Sequence, residues 1–149
     1  MADLSQLQQV FDGRREYWVK WVETMNTKLK DINDVIELQG EIYSRRQEAV
    51  ENYASLASTL AGRTKEYKEK HKDIYRSVRA AKYPNTTTLM FPTDTAARQE
   101  VDGQLAGEKQ IIDIISEHLN YLSDTIKTID GIIYSIRDRI RLEELKLGK

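Results

Sequence analysis

Seven apolar residues, Leu105, Ile112, Leu119, Ile126, Ile133, Ile140 and Leu147, recur every seventh position without a miss. A second series, Val101, Ile115, Leu122, Ile129 and Ile136, interleaves with the first in steps of three and four. Only Glu108 and Glu143 interrupt it. That spacing puts both series on one stripe of an α-helix. Six heptads predict a helix roughly 70 Å long at about 1.5 Å per residue. Such a stripe needs other helices to cover it, from the same chain or from a copy.

The composition agrees with long helices. Of 149 residues, 40% are hydrophobic and 32% charged, with seven glycines and only two prolines. The length predicts one domain. There is no cysteine, so no disulfide framework and no cysteine-based metal site. The first residues lack the basic and then apolar run of a signal peptide, and no stretch has the length and apolarity of a membrane span. The expected location is the cytoplasm, or the host cytoplasm if a phage encodes the chain.

Pro84 and Pro92 divide the sequence. Residues 3–82 read as helical, with Asp3 as N-cap and possible breaks near Gly13, Gly40 and Gly62. Within them Val22, Leu29, Ile36, Tyr43, Val50 and Ala57 form one heptad series. Trp18, Met25, Ile32, Tyr53 and Leu60 form the other, with Gln39 and Arg46 as polar breaks. Residues 83–95 read as the main loop, and Thr93, Asp94 and Thr95 offer N-caps for the helix that follows over 96–147. Apolar Leu89, Met90 and Phe91 in that loop are expected to pack onto the helices or onto a neighbouring subunit. Gly103, Gly107 and Gly131 either mark close helix approach or are merely tolerated.

The predicted architecture is all-α: a long helical hairpin that self-associates through its heptad faces. Ile at both core positions favours more than two helices. The surface expected to hold the homo-oligomer is Leu105, Ile112, Ile115, Leu119, Leu122, Ile126, Ile129, Ile133 and Ile136.

Charge is unevenly placed. The net charge of the whole chain is −1, yet residues 63–82 carry eight Lys or Arg against three Asp or Glu, and both flanking segments are acidic. Lys65, Lys68, Lys72, Arg76 and Arg79 follow steps of three and four and share a helix face. Tyr67, Tyr75 and Tyr83 are interleaved, and His71 sits among them. Cations neutralise phosphates and release counterions, and aromatic rings stack bases. The same block also reads as a solvated helix face with tyrosines in the core, or as a contact for an acidic protein or lipid surface.

Catalytic motifs are missing. Gly103-Gln104-Leu105-Ala106-Gly107 lacks the Lys-Ser/Thr of a phosphate loop, and His71 and His118 lack metal-ligand spacing. The chain is therefore read as a non-enzyme with no cofactor and no metal.

One resemblance follows from the second half. Val101-Asp102-x-x-Leu105, Glu108, Ile111-Ile112, Leu119-x-Tyr121-Leu122, Ile126, Ile129-Asp130, Ile132-Ile133 and Ile136-x-Asp138-Arg139 resemble the C-terminal helix of the UvsY-like recombination mediators of T4-like phages. The order is also similar: a helix ending in a basic, tyrosine-containing tract, a polar loop, then a long helix. The resemblance covers residues 50–149 and is best over 101–139. The family's tract ends in paired tyrosines and a glycine, whereas Arg79-Ala80-Ala81-Lys82-Tyr83-Pro84 has one tyrosine and no glycine.

The resemblance implies an oligomer that binds single-stranded DNA. It implies a RecA-like recombinase and a single-strand DNA-binding protein as partners. The mediator would hold the strand so that recombinase filaments nucleate on it. It assigns Lys65, Lys68, Lys72, Arg76, Arg79 and Lys82 to phosphates, with Tyr75 and Tyr83 as stacking candidates. The alternative is a structural helical oligomer, such as a virion component or an assembly chaperone. A membrane-surface or coiled-coil adaptor is a third reading.

Overall fold

The computed structural model describes residues 2–81 and 92–148. They form four α-helices and, among the described residues, no strand: α1 (Ala2–Lys28), α2 (Ile32–Ala80), α3 (Asp94–Gln104) and α4 (Ala106–Lys146). The expectations for Lys82, Tyr83, Pro84 and Leu89-Met90-Phe91 lie outside the described residues. No described helix is long and apolar enough to cross a membrane.

The first helical region breaks where no glycine stands. Helices α1 and α2 run through Gly13, Gly40 and Gly62, and the break falls at residues 29–31 instead. Asp31 causes it. Its carboxylate accepts the backbone N–H of Asn33 at 2.9 Å, and its carbonyl accepts that of Val35 at 3.0 Å. This is N-cap geometry, which starts a helix and so ends the one before it. A helical glycine costs only about 1 kcal/mol, so three of them did not stop helices fixed by packing. Helix α1 also begins at Ala2, one residue before the expected cap Asp3.

The second long helix is divided as well. Thr93 caps α3, its hydroxyl accepting the N–H of Ala96 at 3.2 Å. The helix stops at Leu105, whose side chain is buried at 4% exposure, and α4 resumes at once. Leu105 N–H still donates to the Val101 carbonyl at 3.0 Å, so the interruption is local. A Cβ at Gly103, Gly107 or Gly131 would meet nothing within 4 Å, so none of them marks a close helix approach.

The chain forms two compact units, each containing part of α2 and part of α4. One comprises Ala2–Ala57 and Glu117–Lys149. In it α1, α2 and α4 surround a core of Trp18, Met25, Val35, Leu38, Ile42, Ala49, Leu122, Ile129 and Ile136. Polar contacts fix the directions. Arg46 Nε meets Asp130 Oδ1 at 2.6 Å, and Arg137 donates to the Tyr43 hydroxyl at 3.1 Å. The earlier residue of α2 pairs with the later residue of α4, so the two run antiparallel. Tyr17 donates to Glu48 at 3.2 Å, which sets α1 antiparallel to α2. Phe11 stacks on His118, and the Tyr121 hydroxyl donates to the Arg15 carbonyl at 3.2 Å, so α1 and α4 run parallel. Each fully buried Ile, Leu or Met side chain contributes about 1.5–3 kcal/mol of apolar transfer.

The other unit, Ser58–Ser116, packs α2 against α3 and the start of α4. Ala97, Val101, Leu105, Ile112 and Ile115 are buried there. On α2 the half-buried residues Leu60, Thr64, Tyr67, His71, Ile74 and Val78 step by three and four and make its packing face.

Two expectations about faces change. On α2 the buried residues are Val35, Leu38, Ile42, Ala49 and Leu56, while Ile36 and Tyr43 are 58% and 50% exposed. The N-cap at Asp31 restarts the helix, so a heptad counted across it loses its phase. On α4, the stripe expected between subunits closes the chain's own core. Leu105, Ile112, Ile115, Leu122, Ile129, Ile133 and Ile136 are buried within the single chain, and Leu119 and Ile126 are half-buried at its edge. Most of the stripe is thus covered within the chain, and Leu119 and Ile126 keep part of their surface open.

Candidate nucleic-acid interface

The basic tract occupies the C-terminal third of α2, in the Ser58–Ser116 unit. With 3.6 residues per turn, Lys65, Lys68, Lys72, Arg76 and Arg79 fall within about 80° of arc, beside the packing face. All five are exposed. They recur once per turn, about every 5.4 Å along the axis. Glu69, four residues from Lys65 and three from Lys72, borders the row, Asp73 and Glu66 lie further round, and all three are exposed. Five of the tract's seven described basic residues thus stand in one row, and Arg63 and Lys70 stand on the other side of the helix.

Four members of the row, Lys65, Lys68, Lys72 and Arg76, lack an ion-pair partner, as do Arg14, Arg15, Lys28, Lys30, Arg63, Arg137 and Arg141 among the described residues. Elsewhere Lys20, Arg45, Arg46, Lys109, Lys127, Arg139 and Lys146 each meet a carboxylate. Lys70 belongs to the tract by sequence but not by geometry. Two residues from Lys68 and from Lys72, it lies on the other side of the helix, where it meets Glu108 of α4 at 2.8 Å.

The aromatic residues take another position. Tyr67 and His71 lie on the packing face, with ring centroids 6.0 Å apart. His71 Nε2 lies 3.2 Å from Asp102 Oδ1 of α3. Tyr75 is half-buried at the edge between packing face and cationic row. Its hydroxyl donates to the Asp94 carboxylate, which raises the phenol above its ordinary range. Arg79 Nη1 donates to the Pro92 carbonyl at 2.9 Å. Of the residues assigned to the tract, the structure brings together Lys65, Lys68, Lys72, Arg76, Arg79 and Tyr75, while Lys82 and Tyr83 lie outside the described residues. Sequence reasoning missed Asp94 and Arg98 of α3, which sit beside Tyr75. The signal available was their i, i+4 spacing, which makes an ion pair at 3.1 Å.

No family model, no curated protein and no solved structure matches this chain.

Proposed function

We propose that the chain binds single-stranded DNA along the row Lys65, Lys68, Lys72, Arg76 and Arg79. We propose further that it acts there as a non-enzymatic recombination mediator, preparing the strand for a RecA-like recombinase in place of a single-strand DNA-binding protein. One observation carries the DNA reading. Four exposed cations without a carboxylate partner stand on one flank of one helix, in a chain of net charge −1. Charges of one sign so close repel each other, and an ordered polyanion relieves that repulsion and releases its counterions. A row one side chain wide follows a single phosphate backbone. The recombinase-loading role rests on the resemblance over residues 101–139.

Self-association belongs to this reading, and it falls to surfaces the chain leaves open. Ile36 and Tyr43 of α2, both large and at least half exposed, are the leading candidates for contact with a second copy.

The test is fluorescence anisotropy of a labelled single-stranded oligonucleotide from about 50 to 300 mM salt. The expected result is binding that decays steeply with salt and is weaker for duplex. No binding at the lowest salt discards the reading and leaves a structural helical oligomer as the better account.

A further inference from the structure

The last turn of the cationic row differs from the turns before it. Lys65, Lys68, Lys72 and Arg76 face solvent without a described ion-pair partner, but beside Tyr75 and Arg79 the chain supplies an anion of its own. The Asp94 carboxylate accepts the Tyr75 hydroxyl, and it accepts Arg98 Nε at 3.1 Å. Arg79 is held next to it by the bond to the Pro92 carbonyl at 2.9 Å. These neighbours keep Asp94 below the ordinary carboxylate range. The Tyr75 hydrogen bond is the largest cause, and the Arg98 hydrogen bond and the charges of Arg98 and Arg79 add to it against a desolvation effect of opposite sign. The carboxylate is nonetheless exposed, at 55%.

A phenol hydroxyl and the Arg98 guanidinium, from two helices, therefore donate to one exposed anion, with the charge of Arg79, bonded to the Pro92 carbonyl, nearby. This donor set suits the oxygens of a phosphate diester as well as it suits a carboxylate. It also lies in line with cations that have no anion yet. We propose that a phosphate of the bound strand displaces the Asp94 carboxylate from Tyr75 and Arg98, beside the charge of Arg79, so that α3 forms part of the nucleic-acid site and Asp94 is its built-in competitor. The inference rests on reading the α2 row as a single-strand DNA site. The exchange is one anion for another, so the donors stay satisfied throughout, and the opposing effect is repulsion between Asp94 and the incoming strand.

Two consequences separate this from a plain structural latch. Removing the charge of Asp94 strengthens binding, and removing Arg98 weakens it although Arg98 lies outside the basic tract. Asp94→Asn keeps the size and an acceptor oxygen for Tyr75, and Thr93 remains the N-cap. Glu100→Gln on the same helix removes the same charge and serves as the matched control; Glu100 only accepts from Gln104, at 3.0 Å. The experiment is anisotropy of a labelled thymidine oligonucleotide at several salt concentrations, with helix content checked by circular dichroism. Asp94→Asn is expected to tighten binding about two- to fivefold, the range of one exposed ion pair, while Glu100→Gln leaves it unchanged. Arg98→Ala is expected to reduce the salt slope by about 0.7, one phosphate contact, and to abolish the gain from Asp94→Asn. Wild-type binding with equal effects of Asp94→Asn and Glu100→Gln overturns the competitor and leaves the α2 site standing. A gain from Asp94→Asn that persists without Arg98 overturns it as well. Absence of binding in every variant at the lowest salt overturns the α2 site and the competitor together.

Discussion

Phe11 lies face to face on His118, with ring centroids 4.2 Å apart and planes 4° from parallel. His118 is fully buried, and neither ring nitrogen has a hydrogen-bond partner. Burial, and then the charges of Arg15 and Arg14, lower its pKa from 6.5 to about 4. Arg14 lies 5.9 Å from the Phe11 ring centre and Arg15 5.3 Å from that of Tyr121. The folded chain therefore binds a proton at His118 less readily than the unfolded chain does. Stability from this residue is complete above pH 6.5 and is lost as pH falls from 6.5 towards 4. Between pH 7 and pH 5 the loss is about 2 kcal/mol. Urea unfolding of His118→Phe should show that much less pH dependence than wild type. An unchanged difference between the two pH values would mean that His118 is not the titrating group.

The packing of α2 predicts an asymmetry between adjacent residues. Val35 is fully buried and Ile36 is 58% exposed. Val35→Ala should cost about 1–3 kcal/mol, from lost transfer and an unfilled cavity. Ile36→Ala should stay within about 0.5 kcal/mol. Denaturant midpoints measure both. A larger effect at Ile36 would restore the heptad phase counted through Leu29.

That asymmetry also shows where the sequence was readable. On α4 the series Ile115, Leu122, Ile129 and Ile136 is buried as counted, while the other series shifts by one residue in the middle, where His118 and Thr125 are buried and Leu119 and Ile126 are half-buried. The stripe of α2 was misphased because one carboxylate, Asp31, restarts the helix, and periodicity counts residues without seeing a cap. The cationic row was legible for the same reason that the Ile115 series was: its spacing lies inside one uninterrupted helix. Two things were not legible. Spacing keeps Lys70 off the row but does not show that Glu108 pairs with it, nor that Asp94 and Arg98 come beside Tyr75. Both are tertiary contacts, 38 and 19 residues apart in the chain for Lys70–Glu108 and Tyr75–Asp94.

Assembly can be separated from folding by where a charge is placed. Ile115 and Leu122 are 2% and 1% exposed in the single chain, so an aspartate at either position buries an unpaired carboxylate. Ile115→Asp and Leu122→Asp should lose helix content. Ile36→Asp and Tyr43→Asp, on the exposed side of α2, should keep it and lower the mass measured by light scattering. If these two variants keep both helix content and wild-type mass, a second copy does not bind this surface.

The sharpest test of the row compares cations that composition treats alike. Lys70 and Lys72 are two residues apart in one basic tract. Lys70 is already neutralised by Glu108 at 2.8 Å and points away from the row, whereas Lys72 has no described ion-pair partner. A phosphate meeting Lys72 gains a new pair, while one meeting Lys70 must break an existing pair. The triple replacement Lys68→Ala, Lys72→Ala, Arg76→Ala should reduce the single-strand salt slope by about two, at about 0.7 per phosphate lost. Lys70→Ala should leave the slope unchanged. Equal losses per cation from both variants would mean that the strand senses the net charge of the tract, and the row would have no geometric role.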